Sequence, residues 1–410
     1  MEKKSVGKPI WMVIEPFFYP HSEGYLRAIL QDKTILQTFD IVYVYGAETS
    51  QQKLMCELEE ALSSSFRSIR VDYGQREFFG FGITALFRNW KVIRAAQKLG
   101  VKEGAELISI LRADDFIRLL IIPGMHVFFK YIRGRSTGVF FNSRCFRESS
   151  FTLNILSSGV CRVIKSSFFK KLLFLDHGIC KPIQKLLGPS YDNVTGEAVD
   201  PWTEADHALC RDQLAAEDKR TLLTLGAHSV RKGTVLLLRM FRDYPEELAN
   251  YKLLIVGPVR DDIREEFDEL LTEIKNSSDK VECIDRYVSD RDSWSYFQRS
   301  DIVVCPYVDF HGSSNVVIRA AAAGLPVITP AFGFLGEVAE HSGLGVTYKN
   351  QQPSEILQAI FDVEKLLLEN AAEIRSNCEK YAQRHHASLY AASLLLPLTD
   401  PVQGISRAEY

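Results

Sequence analysis

Two short segments of this 410-residue chain carry the residue types that hold phosphate. The first is Leu225-Gly226-Ala227-His228-Ser229-Val230-Arg231-Lys232-Gly233, followed by an apolar helical run. A helix start exposes unpaired N–H groups and about half a positive charge, and Lys232 adds a full charge at its mouth. The second is Gly312-Ser313-Ser314-Asn315, which opens a helix whose later turns are nearly all alanine. Ser and Asn cap such a start, and glycine lets a ligand approach the backbone. Either segment alone also reads as an ordinary strand-to-helix loop. Both follow apolar strands, however, and open sheets bind ligands at that edge, so the pair suggests a site for two linked phosphates.

The first half offers fewer candidates. His21, Glu23 and Gly24 follow the first apolar run and present polar groups to a ligand, or simply form an exposed loop. Asp114 and Asp115 follow another run. A carboxylate there serves as a base or binds hydroxyls, or else caps a helix starting at Phe116. No metal-ligand spacing is present, and Asp290-Arg291-Asp292 reads as helix capping.

The elements that must position these residues alternate along the chain. Apolar, β-branched runs at 10–14, 41–45, 107–111, 127–132, 138–141, 160–164 and 172–175 read as strands, with helices at 22–31, 51–64, 82–98 and 150–157. The alternation restarts at 221–225, 252–256, 281–284, 301–305 and 326–329, with helices at 233–241, 260–275, 292–299 and 315–323 and a long final helix over 368–395. Continuous apolar strands between helices imply parallel sheets covered on both faces. The reading is α/β with two domains, 1–190 and 206–380. A polar, Gly- and Pro-containing linker joins them at 191–205, and a last helix and tail over 381–410 pack back toward the first domain.

Charge divides at the same place. The net value of −3 combines +10 over residues 1–190 (27 Lys and Arg, 17 Asp and Glu) with −13 over 191–410 (22 and 35). Residues 116–190 hold 12 basic residues against Glu148 and Asp176 and interleave them with Phe. That block reads as a solvated face over ordinary core Phe, as a surface for anionic membrane or a lipid-phosphate acceptor, or as a nucleic-acid surface. The last ranks lowest, because no nucleic-acid module is visible. No run is long enough for a membrane span, and the eight scattered cysteines read as reduced residues of a cytoplasmic protein, peripheral at most on the inner face of the membrane.

The second half resembles the donor domain of the GT-B glycosyltransferases, specifically retaining family 4. The family's G-R-x-x-x-x-K-G matches at Gly226, Lys232 and Gly233, while its Arg falls on Ala227. The resemblance implies that Lys232 contacts the donor diphosphate, with Arg231 or His228 standing in for the missing Arg. Tyr287 and Val288 fall near the nucleotide base, and Gly24 falls in the loop facing the cleft. The two Glu of the family's E-x7-E signature fall on His311 and Arg319. His311 thus takes the place beside the reacting sugar, joined as catalytic candidates by Asp114, Asp115 and His21. Arg319 accepts no hydrogen bonds and is left to pair with phosphate.

The implied fold is GT-B, two facing Rossmann-like domains with a deep interdomain cleft. The implied activity is transfer from a nucleotide-diphosphate sugar to a saccharide or lipid-linked acceptor in glycan, cell-envelope or polysaccharide synthesis, without metal or other cofactor. A sugar-nucleotide epimerase and an impaired, transferase-like partner subunit are the rival readings.

Overall fold

The structure is a computed structural model and describes residues 8–16, 22–46, 52–62, 65–72, 81–141, 146, 151–191, 195–197, 201–202 and 219–395. The chain divides into two units. One takes the described residues up to Glu197 and also the helix Ala387–Leu395; the other takes those from Pro201 to His386.

The first unit contains β1 (Ile10–Glu15), β2 (Asp40–Gly46), β3 (Phe66–Val71), β4 (Leu107–Ile110), β5 (Ser136–Phe140), β6 (Phe169–Phe174) and β7 (Thr195–Glu197). They form one parallel sheet in the order β3-β2-β1-β4-β5-β6-β7. The second unit contains β8 (Arg220–Leu225), β9 (Tyr251–Val256), β10 (Val281–Ile284), β11 (Ile302–Val304), β12 (Val327–Pro330) and β13 (Gly345–Tyr348), parallel in the order β10-β9-β8-β11-β12-β13. Helices separate consecutive strands, as parallel crossovers require. The continuous apolar runs find both faces covered. Leu223, Leu254 and Val303 point into one core cluster of the second unit, whereas Leu222, Leu253, Ile302 and Val304 point into the other. Each such side chain contributes roughly 1.5–3 kcal/mol by leaving water.

In each sheet the order reverses once, between β1 and β4 and between β8 and β11. A doubly wound sheet leaves its crevice outside the C-terminal ends of the two strands at that reversal. The loops after those four strands are therefore where each unit presents its polar residues. Behind the β11 loop, the helix Asn315–Ala322 puts Ala320 and Ala321 against Ile374, Cys378 and Ala382 of the helix Pro353–Arg384.

Several sequence expectations need correction. Residues 160–164 lie within the helix Phe151–Lys165, where a β-branched stretch is held by tertiary packing. Gly159 of that helix meets Ile121 so closely that a Cβ would lie 2.6 Å from it. Residues 127–132 form no strand. After Pro123 and Gly124, Met125–Phe129 is a short 3-10 turn. The single helix expected over 368–395 is two, Pro353–Arg384 and Ala387–Leu395, and the first has non-helical backbone at Asn370. Thr195–Glu197, inside the stretch read as linker, pairs with β6 as an edge strand. Strands β3 and β13 were not anticipated, because Arg67, Ser68 and Arg70 interrupt the first, and the second follows a turn at Gly343 and itself opens on Gly345.

Candidate functional site

The loops after β8 and β11 meet. Val308 N donates to Arg231 O at 2.9 Å, and Gly233 lies against Pro306 so tightly that a Cβ would stand 1.7 Å from its carbonyl oxygen. The Lys232 side chain runs back beneath Gly226, where a Cβ would lie 2.9 Å from its Cε and Nζ. Its ammonium donates to Leu225 O at 3.2 Å and to Tyr307 Oη at 2.6 Å, and lies 4.2 Å from the centre of the Tyr307 ring. Tyr307, having accepted from Lys232, bonds onward to Ser314 Oγ at 2.9 Å. Ser314 thus turns its hydroxyl to Tyr307 and does not cap the helix Asn315–Ala322. One polar chain, Lys232–Tyr307–Ser314, ties the first phosphate-type loop to the second helix start. Burial, and after it the Arg231 charge, pull the Lys232 ammonium down to about 8, against an upward pull from Cys305.

The other second-unit candidates take varied positions. His228 is fully buried. Its Nδ1 pairs with Thr234 Oγ1 at 2.7 Å, and its backbone bridges Val259, which pins the loop to the neighbouring one. Burial first, then Lys232, lowers it to about 4, so it stands neutral. The exposed Arg231 guanidinium stacks 4.9 Å from the Phe310 ring. Gly312 is buried, Ser313 half-buried, and Asn315 donates from Nδ2 to Pro201 O at 3.1 Å. Arg319 is buried and donates to Ser293 Oγ at 3.1 Å. His311 faces Phe332 beside a cavity of about 490 Å³ lined also by Asp309, Lys349 and Asn350. Val288 is half-buried against the core and Tyr287 is exposed.

In the first unit, Asp114 and Asp115 do not cap a helix at Phe116. The helix begins at Ala113, after Arg112 in the left-handed region (φ 56°), and both carboxylates sit in its first turn. Asp114 accepts from Phe141 N at 3.1 Å. Burial, then the neighbouring Asp115 charge, pushes it up to about 7. Because the folded state holds this proton more tightly than the usual 3.8, stability falls as pH rises from about 4 to 7. Asp114→Asn is expected to flatten that fall, which is worth on the order of 2–4 kcal/mol. Melting temperatures of the two proteins across that range check it.

Glu23 pairs with Arg27 at 2.7 Å, and Gly24 lies within the helix Ser22–Leu30 rather than in a loop. His21 lies outside the described residues. Sequence reading passed over the group these residues surround. Fully buried Glu15 accepts from Ser22 and Tyr43 and pairs with Arg112 at 3.4 Å, and that guanidinium stacks 4.7 Å from Phe141. Glu15 at the end of β1 and Arg112 after β4 meet at the sheet's reversal. The one available signal was that both follow apolar runs.

This geometry now stands beside known proteins. Residues 208–385 match the family model described as Glycosyl transferases group 1. The matched residues fall within the second unit. A protein of Bacillus subtilis (strain 168) named as a candidate glycosyltransferase, YtcC, is 25% identical over 232 residues, 55% of either chain. Spore coat protein SA of the same organism is 27% identical over 182 residues, 43% of this chain and 47% of its own. The chain thus spans about half the length of the curated relatives it matches. Among solved structures, Anabaena Alr3699/HepE in complex with UDP and glucose has a TM-score of 0.63 at 14% identity, covering 93% of this chain and 97% of its own. A glycosyltransferase from Rickettsia africae ESF-5 has a TM-score of 0.67 at 12% identity, covering 95% and 97%. At those identities the likeness is one of fold, and the fold of this chain is GT-B.

Proposed function

We propose that the protein transfers a sugar from a nucleotide-diphosphate sugar to a saccharide or lipid-linked acceptor, with retention, in glycan, cell-envelope or polysaccharide synthesis. The observation that carries this is the Lys232–Tyr307–Ser314 chain, which fixes one cation and one helix start on adjoining loops at the reversal of the second sheet. Lys232 has two of its three donors engaged, leaving one for a phosphate oxygen. Stabilising the departing nucleotide diphosphate is the largest catalytic contribution such a site makes, because its charge and dipoles are in place before the bond breaks. We place the transferred sugar in the cavity beside His311 and the acceptor at the first unit, near Asp114, Asp115 and Arg112. The charge of the diphosphate is met by Lys232 and the helix N-terminus, so the reading needs no metal. It includes a cytoplasmic protein that associates peripherally with an anionic membrane.

One observation favours a second reading. Arg319 stands where the family pattern has a carboxylate and is engaged with Ser293, which fits a transferase-like subunit with reduced activity. Calorimetric titration with UDP and GDP tests the donor site, and turnover of a panel of nucleotide sugars separates the readings. Binding of one nucleotide together with transfer supports the enzyme. Binding without turnover supports the subunit, and failure of both nucleotides to bind overturns the donor site.

A further inference from the structure

Not all of the basic block at 116–190 lies at the surface. Lys171 is buried and donates to Ser393 O, Arg133 is engaged by Ser166 O, and Phe140, Phe168, Phe169 and Phe174 lie in the core. A coherent surface lies elsewhere. The helix Phe81–Glu103 carries Phe87, Lys91, Arg94, Lys98 and Val101 at helical spacing, so they share one stripe. Phe87 is 49% exposed and Val101 60%. Lys91 lies over the Phe87 ring at 5.0 Å, and Phe87 stacks on Trp90. The turn Met125–Phe129 extends the stripe. Phe128 (48% exposed) packs against Arg94 with 5.9 Å from guanidinium to ring, and Arg94 and Gln97 both donate to its carbonyl at 2.7 Å. Val127 beside it is 50% exposed.

Two features identify the occupant. Residues 86–102 and 122–135 together hold eight Lys and Arg and no Asp or Glu, and the next carboxylate, Glu103, is turned to Arg67. The surface is therefore cationic without local compensation. Its apolar members include the aliphatic Val101, Val127 and Ile122, which offer a nucleic-acid base nothing to stack on but enter hydrocarbon readily. No helix among the described residues is long and apolar enough to cross a membrane.

We propose that the face formed by Phe87, Lys91, Arg94, Lys98, Val127 and Phe128 docks the protein on an anionic lipid surface. The cations meet the headgroups, and the rings and the turn at 125–129 enter the boundary below them. This rests on the peripheral-membrane part of the proposed function and assigns it to a face mostly outside the basic block.

Flotation of the full chain with phosphatidylcholine vesicles, with and without phosphatidylglycerol, at low and high salt, tests it. The protein is expected to float with the anionic vesicles at low salt and to be released by high salt. Phe87→Ser with Phe128→Ser, and separately Lys91→Glu with Lys98→Glu, are each expected to weaken recovery at least about tenfold. Both variants should keep the wild-type melting temperature and UDP binding. If the wild type floats and both variants float equally well, the face is wrong while membrane association stands. Equal recovery on neutral vesicles, no flotation of the wild type, or competition by single-stranded RNA with binding lost in the same variants would overturn both.

Discussion

Lys232→Met is expected to remove nucleotide binding while changing stability by no more than about 2 kcal/mol. The two effects have one origin. Burial holds the Lys232 ammonium at about 8 in the folded state, below its usual 10.5, so the protein bears the cost of a desolvated charge at neutral pH. That cost is largest below about pH 8 and is relieved as pH rises from there toward 10.5, because only the unfolded chain still holds the proton. Methionine removes the charge and fills the tunnel beneath Gly226. Against this gain stand Leu225 O and Tyr307 Oη, each losing a donor. The loss of affinity is larger, because a buried charged partner of a phosphate is worth about 2–5 kcal/mol, or roughly thirty- to five-thousandfold in Kd. The wild type should also bind UDP or GDP more weakly as pH rises through about 8, with phosphate pulling that midpoint upward, and the variant should show no such dependence. Titration calorimetry across that range, with chemical unfolding of both proteins, reads all three. A variant binding within about threefold of wild type would remove Lys232 from the donor site.

Gly233→Ala is expected to cost more than about 3 kcal/mol and to abolish nucleotide binding with it. The backbone there has φ 65°, a region that costs an alanine about 1–2 kcal/mol. The larger part is steric, because the new Cβ would occupy the Pro306 carbonyl oxygen at 1.7 Å. Neither backbone has a rotamer with which to yield, so the two loops must part and carry Tyr307 away from Lys232. Gly324 provides the control. It has φ 73° and only Arg375 Cγ nearby, at 3.9 Å. Gly324→Ala should cost only the conformational share. Urea unfolding followed by the fluorescence of Trp294, buried in the second unit, measures both. Equal effects of the two substitutions would show that the Gly233–Pro306 approach has no energetic role.

Much of this molecule could be read from residue order, for reasons specific to each part. Strands β8, β9 and β11 of the second sheet are short apolar runs closed by Gly226, Gly257 and Pro306, and both phosphate-type loops carry their own glycine and small-residue signals. What resisted was anything assembled across distance. Tyr307 looks like the end of a strand, and only the packed loops show its hydroxyl joining Lys232 to Ser314. Glu15 and Arg112 lie 97 positions apart and are brought together by the adjacency of β1 and β4, which no local pattern encodes. Residues 160–164 have strand-forming composition, yet contact through Gly159 with Ile121 favours a helix. His228, expected at a donor, has the loop's own hydroxyl Thr234 as its neighbour, a pairing that six-residue spacing alone does not announce.

The first unit is not contiguous in the chain. Its Ser22–Leu30 helix packs against Ala387–Leu395, Tyr25 meets Tyr390 at 5.3 Å between ring centres, and Lys171 reaches Ser393 O across 222 positions. A ribosome making this protein delivers all seven strands of the first sheet long before it delivers the helix that covers one flank. The nascent unit must wait through the synthesis of the whole second unit with Tyr25 and the Lys171 ammonium uncovered. Vectorial synthesis therefore favours the second unit as the first to complete, although it comes later in sequence. A nonsense codon just before Ala387 would then damage the unit that was translated first.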